Sequence, residues 1–79
     1  MSDKQIEILN ANDYEVYKSI NYIRYKKNDY PIAFIDYNKD TKLFSLNILN
    51  SIFTNQKDIL NAEQEINRAF ALIKQLNSI

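Results

Sequence analysis

The sequence predicts an α+β fold in which a three- to four-stranded antiparallel β-meander is packed on one face by a single C-terminal α-helix. Apolar residues recur at helical spacing near the C-terminus, and strand-forming segments alternate with Asn- and Asp-rich turns before it. In addition, 46% of the 79 residues are hydrophobic. A chain of this length predicts one small domain over residues 1–79, with the sheet at roughly 14–49 and the helix at roughly 56–77.

The strand assignments depend on β-branched and aromatic residues bounded by turn formers. The segments with this composition are 19–26, 30–37 and 42–49. A four-residue connection at 38–41 joins the last two as a hairpin. Residues 13–23 also fit a helical spacing, but their density of Tyr, Val and Ile favours a strand, and residues 4–9 fit a short strand or a helical turn. Because the chain contains no Gly, we expect Asn and Asp to take the left-handed backbone positions of its turns.

One amphipathic helix is predicted at the C-terminus. Its apolar stripe consists of Ile59, Ala62, Ile66, Ala69, Phe70, Ile73 and Leu76. Asn55 is a suitable N-cap and Asp58 complements the helix dipole, while Asn61 is an alternative start. We expect the stripe to cover one face of the sheet. Burial of apolar surface, at roughly 25 cal/mol per Å², is the main stabilising term for a small chain without cysteine.

The other face of the sheet is the candidate binding surface. With Tyr37 opposite Lys42 in the hairpin, parity places there a patch that we expect to contact a partner: Ile23, Tyr25, Tyr30, Ile32 and Phe34. Three large aromatic side chains exceed the apolar area that a monomer usually exposes. The N-terminal segment, a second copy in a homodimer or a foreign partner could cover them. A three-residue connection after Lys26 would instead turn Ile23 and Tyr25 toward the helix.

The composition argues against most catalytic chemistries. The chain has no His, Cys or Gly, which removes imidazole bases, thiol nucleophiles, zinc clusters and glycine-rich phosphate loops. Carboxylates are the acid–base groups that remain. Glu63 and Glu65 are two residues apart on the predicted helix and point in different directions, so they form no paired site. We therefore expect no enzymatic activity, no metal site and no cofactor.

A nucleic-acid-binding module is the alternative function. Ten basic residues balance ten acidic ones overall, but the sheet region has a local excess of cations. The expected phosphate contacts are Lys26, Lys27, Lys39 and Lys42, with neighbouring Tyr rings stacked on unpaired bases. The order of three strands and a helix over residues 22–76 resembles the AP2-like arm-binding domains of phage integrases, and this resemblance implies DNA binding through the sheet. Those domains carry several cations on that face, whereas the predicted face here is mostly apolar.

The sequence favours a small non-catalytic binding protein that blocks a larger protein or protein–RNA complex. Eleven Asn, twelve Ile and eight Lys against two Arg indicate an AT-rich coding sequence. Small domains of this kind without catalytic residues are typical of phage or mobile-element inhibitors with anti-defence roles. No apolar run approaches the roughly 20 residues that span a bilayer, and the N-terminus lacks a signal-peptide pattern. We expect a cytoplasmic protein, acting in the host cell if phage-encoded, that does not bind membranes.

Overall fold

The computed structural model of the protein describes residues 1–17, 22–28, 32–49 and 56–79. Within these ranges the elements, in chain order, are α1 (Asp3–Ala11), β1 (Tyr14–Tyr17), β2 (Tyr22–Tyr25), β3 (Ala33–Asn38), β4 (Leu43–Ile48) and α2 (Gln56–Asn77). The strands form one antiparallel sheet in the order β1-β2-β3-β4. The predicted α+β meander with a C-terminal helix on one face is confirmed, and α1 adds a short helix to it.

The N-terminal helix α1 occupies the segment that fitted a strand or a helical turn. A capping box starts it: the Gln5 main-chain N–H donates to Ser2 Oγ at 3.2 Å, and the Ser2 N–H donates to Gln5 Oε1 at 2.9 Å. At the other end, Asn12 Nδ2 donates to the Ile8 carbonyl at 2.8 Å. These bonds satisfy main-chain groups that a helix leaves unpaired at its ends. The fully buried Leu9 joins α1 to the core beside β1.

The core lies between the two helices and one face of the sheet. The sheet contributes Tyr14, Ile23, Ala33, Ile35 and Phe44. The buried residues of α2 lie at steps of three and four on one side of the helix: Glu65, Ala69, Leu72, Ile73 and Leu76. The predicted stripe was wrong for two of its residues, because Ile59 and Phe70 are 42% and 47% exposed. Leu72 takes an inward position instead.

The β3–β4 hairpin has a four-residue connection that begins one residue later than predicted. Tyr37 therefore pairs with Phe44 rather than with Lys42. The register differs from the predicted one by two residues, so every side chain of β3 and β4 keeps its predicted face. Asn38 determines where the turn begins, because its Oδ1 accepts the main-chain N–H groups of Asp40 at 2.8 Å and Thr41 at 3.1 Å.

Two described residues adopt the left-handed backbone conformation. Glycine usually takes such positions, but this chain has none, so other residues must occupy them. Asp13, at φ 64°, follows the expectation that Asn or Asp takes such positions. Lys42, at φ 60°, does not. Its N–H donates to the Asn38 carbonyl at 2.8 Å and closes the hairpin turn, so the geometry of the turn outweighs the preference of the residue.

Replacing Lys42 with glycine is expected to raise the free energy of unfolding by about 0.5–1 kcal/mol, because glycine adopts a positive φ without a Cβ clash. Chemical denaturation measures this change. Lys39→Gly, in the same connection, is the matched control. Lys39 is not among the positive-φ residues of the described chain, so glycine there adds entropy to the unfolded chain and lowers stability. An equal gain at both positions would contradict the backbone explanation.

Candidate protein-binding surface

The sheet has one face that neither described helix covers. Both α1 and α2 pack on the face that carries Ile23, Ile35 and Phe44. Successive side chains of a strand point to opposite faces. The opposite face, called the open face below, therefore carries Glu15, Tyr17, Arg24, Phe34, Asp36, Leu43, Ser45 and Asn47. It combines aromatic, apolar, charged and neutral polar groups on one face of the sheet.

The pairing of β2 with β3 decides which residues of β2 reach the open face. Ile23 pairs with Ile35, so it lies on the helix side and Arg24 lies on the open face. The two strands are joined by the seven residues 26–32, an odd number. A slip of one residue would exchange the faces and place Arg24 in the core. Burial of an unpaired guanidinium is costly, which opposes the alternative register.

The patch predicted from the sequence is not one surface. Phe34 lies on the open face as predicted, but the placement of Ile23 and Tyr25 was wrong. Ile23 is 1% exposed in the core, and Tyr25 packs against the core on the helix side. Ile32 is also buried, and Tyr30 lies outside the described residues. The physical reason is the parity of the β2–β3 connection, which turns Ile23 and Tyr25 toward α2.

The lysines of the nucleic-acid alternative lie at opposite ends of the sheet. Lys26 and Lys27 follow β2, whereas Lys39 and Lys42 lie in the β3–β4 connection. The six residues of β3 separate these ends by about 20 Å at the usual rise of a strand. In addition, Lys27 Nζ is 3.2 Å from Asp13 Oδ2. The fold therefore does not gather the four lysines into one phosphate-binding patch.

The open face contains a buried hydrogen-bond donor for which the described residues supply no acceptor. Tyr17 Oη donates to Glu15 Oε2 at 3.0 Å, and Arg24 Cζ lies 6.0 Å from the centroid of the Tyr17 ring. Arg24 Nε is buried, and the described part of the chain supplies no acceptor for it. Leaving a buried donor unpaired costs free energy.

The sequence-based patch did not include Tyr17 and Arg24. The sequence of β1 carries a signal for Tyr17. Tyr14 and Val16 point to one face of the strand, and Glu15 and Tyr17 point to the other. Glu15 stands directly opposite Arg24 in the β1–β2 pair. Cross-strand pairs of opposite charge stabilise antiparallel sheets. Matching these two charges would therefore have indicated the correct face for β2.

A buried carboxylate joins α2 to the sheet on the helix side. Glu65 is 3% exposed. Its Oε1 accepts the main-chain N–H groups of Ile32 at 2.9 Å and Ala33 at 3.0 Å, and its Oε2 accepts Asn28 Nδ2 at 2.8 Å. We call this arrangement the Glu65 clamp. It holds Asn28 and the start of β3 against α2, so the Glu65 carboxylate has a structural role.

A cleft of about 490 Å³ opens beside the Glu65 clamp, between the first half of α2 and the β2–β3 connection. One wall is formed by Arg68, whose Cζ lies 4.3 Å from the centroid of the Tyr25 ring. This is a close cation–π contact. Because Glu65 and Arg68 are both engaged with groups of the protein itself, the cleft is a weaker candidate for ligand binding than the open face.

No protein-family model matches the chain, and no curated protein or solved structure is similar to it. Within the ranges that the structure describes, no group of three or more His, Cys, Asp or Glu residues could hold a metal ion. The described helices include none that combines the length and the apolar character needed to cross a membrane. The open face is thus the strongest feature of the described residues from which a function can be inferred.

Proposed function

We propose that this protein is a small non-catalytic binding protein whose open face docks on a larger protein. The observation that supports the proposal is the composition of a sheet face without a helix over it. Tyr17 and Phe34 offer rigid aromatic surface, and Leu43 is 52% exposed. Ser45 and Asn47 form an exposed polar margin along β4. Aromatic and Arg side chains within a polar rim are typical of protein–protein interfaces.

The charges of the open face favour a protein partner over a phosphate backbone. Glu15 and Asp36 contribute two carboxylates, and Arg24 contributes one guanidinium. A nucleic acid would meet a net negative surface here, and phosphate contacts dominate nucleic-acid affinity. The complementary partner is a partly apolar protein surface that offers basic groups to the two carboxylates.

Binding by this face would act sterically, by covering a working surface of the target or by holding the target in one conformation. The target would be a protein or a protein–RNA complex larger than this chain. The small size, the absence of His and Cys, and the AT-biased composition support an inhibitor of the phage or mobile-element type with an anti-defence role. Such a protein would act in the cytoplasm of the host cell.

The proposal is tested by affinity capture from an extract of the native host, with wild-type protein and a Phe34→Ser/Leu43→Ser variant as baits. We expect the wild type to enrich a specific protein and the variant to lose at least about tenfold of that enrichment, because interface energy concentrates in a few central apolar residues. Quantitative mass spectrometry measures the enrichment. Far-UV circular dichroism confirms that the variant retains its helices.

Leu60→Ser is the matched control, since Leu60 is 50% exposed on α2 and lies away from the open face. It should retain the captured protein at the wild-type level. Retention of that protein by a folded Phe34→Ser/Leu43→Ser variant would refute docking through the open face. A capture that disappears after nuclease treatment would favour the nucleic-acid alternative instead.

A further inference from the structure

The two edges of the sheet differ in their protection against pairing with another strand. β1 is four residues long and carries Glu15, whereas β4 is six residues long and carries no charge. The sequence contains no charged residue from Leu43 to Gln56. Natural edge strands are usually protected by shortness, charged side chains, proline or bulges. The β3–β4 register is continuous over six pairs, so β4 has none of these features.

The hydrogen bonds of β4 show which of its main-chain groups face outward. The Phe44 N–H donates to Asn77 Oδ1 at 2.8 Å, and the Phe44 carbonyl accepts Asn77 Nδ2 at 3.0 Å. These groups therefore point away from β3, whereas the Leu49 N–H donates to the Ile32 carbonyl at 2.8 Å. By the alternation of an antiparallel ladder, Leu46 and Ile48 also present their main-chain groups outward.

Among the described residues, the outward main-chain groups of β4 have a hydrogen-bond partner at Phe44 and none at Leu46 and Ile48. Asn77 takes the place of a neighbouring strand at Phe44. Across the described ranges, no hydrogen bond from α2 or any other element reaches the outward groups of Leu46 and Ile48. Ile48 is also 46% exposed. With respect to the described part of the chain, the edge thus offers two outward-facing residues that can pair with another strand, beside an apolar side chain.

An apolar row on α2 runs beside this edge. Asn77 marks the side of the helix that faces β4, and positions seven and eleven residues before it lie on the same side. These positions hold Phe70 and Ile66, and Ile59 follows seven residues before Ile66. Ile66 packs partly against the core, whereas Phe70 and Ile59 remain exposed. A strand added to β4 could therefore also pack against the apolar side chains of this row.

We propose that a second copy of this chain occupies this edge, with β4 pairing antiparallel to β4 about a two-fold axis at Asn47. In this register Leu46 of one copy stands opposite Ile48 of the second copy, which uses both open positions of each strand. The pairing ends where Asn77 already occupies the ladder. The product is one continuous sheet with both α2 helices on the same side.

Self-complementarity favours a second copy over a foreign strand. The two-fold pairing places Leu46 against Ile48 on the helix side and Asn47 against itself on the open face, so apolar meets apolar and neutral polar meets neutral polar. No like charges approach one another along β4. On the helix side of the edge, Ile48 is 46% exposed and Phe70 is 47% exposed, so both apolar side chains are available to contact the second copy.

A cysteine cross-linking experiment tests the register directly, because the chain has no cysteine of its own. Asn47→Cys places two thiols across the axis in a non-hydrogen-bonded pair, whose Cα separation of about 4.5 Å suits a disulfide. Ser45→Cys lies on the same face but opposes Leu49 of the second copy, so its two thiols are more than about 10 Å apart. Under mild oxidation we expect Asn47→Cys to form the covalent dimer at least about tenfold faster than Ser45→Cys. Equal rates would refute the register.

Sedimentation equilibrium tests the dimer itself. The wild type should be dimeric at tens of micromolar, and Ile48→Lys should raise the dimer dissociation constant at least about tenfold, because a lysine would face the apolar Leu46 of the second copy. Leu60→Lys is the control, because Leu60 is similarly exposed on α2 but lies about 100° around the helix from the apolar row. A monomeric wild type, or equal weakening by Leu60→Lys, would overturn the proposal. If Ile48→Lys does not fold, the cross-linking rates of Asn47→Cys and Ser45→Cys test the dimer in its place.

Discussion

Replacing Glu65 with alanine is expected to lower the free energy of unfolding by about 3–5 kcal/mol. The substitution leaves the buried N–H groups of Ile32 and Ala33 without this acceptor and removes one acceptor of Asn28. An unsatisfied buried donor costs about 1–3 kcal/mol, and bonds to a charged acceptor are stronger than neutral ones. A domain of this size has a total stability of only about 4–12 kcal/mol. Urea denaturation followed by circular dichroism measures the loss.

Glu65→Gln separates the hydrogen bonds of the clamp from the volume of the side chain. Glutamine keeps one carbonyl oxygen that can accept from Ile32 and Ala33, so the expected loss is about 1 kcal/mol. A similar loss for both substitutions would show that the negative charge matters more than the acceptor geometry. If Glu65→Ala costs less than about 1 kcal/mol, the Glu65 clamp does not hold the start of β3 against α2.

Replacing Tyr14 with phenylalanine is expected to stabilise the protein by about 1 kcal/mol at neutral pH. Tyr14 is fully buried, and its hydroxyl has no hydrogen-bond partner among the described residues. Phenylalanine keeps the ring, which lies 5.4 Å from the Tyr25 ring between centroids. The substitution therefore removes the cost of a buried unpaired hydroxyl and preserves the packing. Urea denaturation at neutral pH gives the comparison.

The stability difference between wild type and Tyr14→Phe should widen at alkaline pH. Burial raises the pKa of Tyr14 from 10.0 to about 12, although Arg68 acts in the opposite direction. The folded state thus favours the protonated phenol, and this contribution is complete below pH 10 and is lost as the pH rises through 12. We expect the difference to grow by roughly 2–3 kcal/mol between pH 9 and pH 12. A constant difference across this range would contradict a buried, neutral Tyr14.

The fold class and the faces of β3 and β4 could be predicted from local pattern alone. The two-residue error in the β3–β4 register changed no face, because side chains repeat every second residue. The faces of β2 could not be predicted in the same way. The faces of Ile23, Arg24 and Tyr25 depend on the odd length of the β2–β3 connection, which the pattern within β2 does not show.

The Glu65 clamp illustrates a different limit of sequence reasoning. Its donors lie 32 to 37 residues away along the chain, and no local pattern indicates which main-chain groups need an acceptor. One signal was present, because Glu65 is spaced four and seven residues from the buried Ala69 and Leu72. An acid in line with buried apolar residues indicates a buried carboxylate, although its partners become visible only in the folded chain.

The interleaving of core and open face along every strand constrains how this protein can diverge. Alternate positions can be substituted, so the residues of the open face can change while packing beneath α2 is preserved. Insertion or deletion of a single residue within a strand has the opposite effect, because it exchanges the two faces at once. Divergent forms of the chain should therefore differ by point substitutions within strands, and differences in length should be confined to the connections.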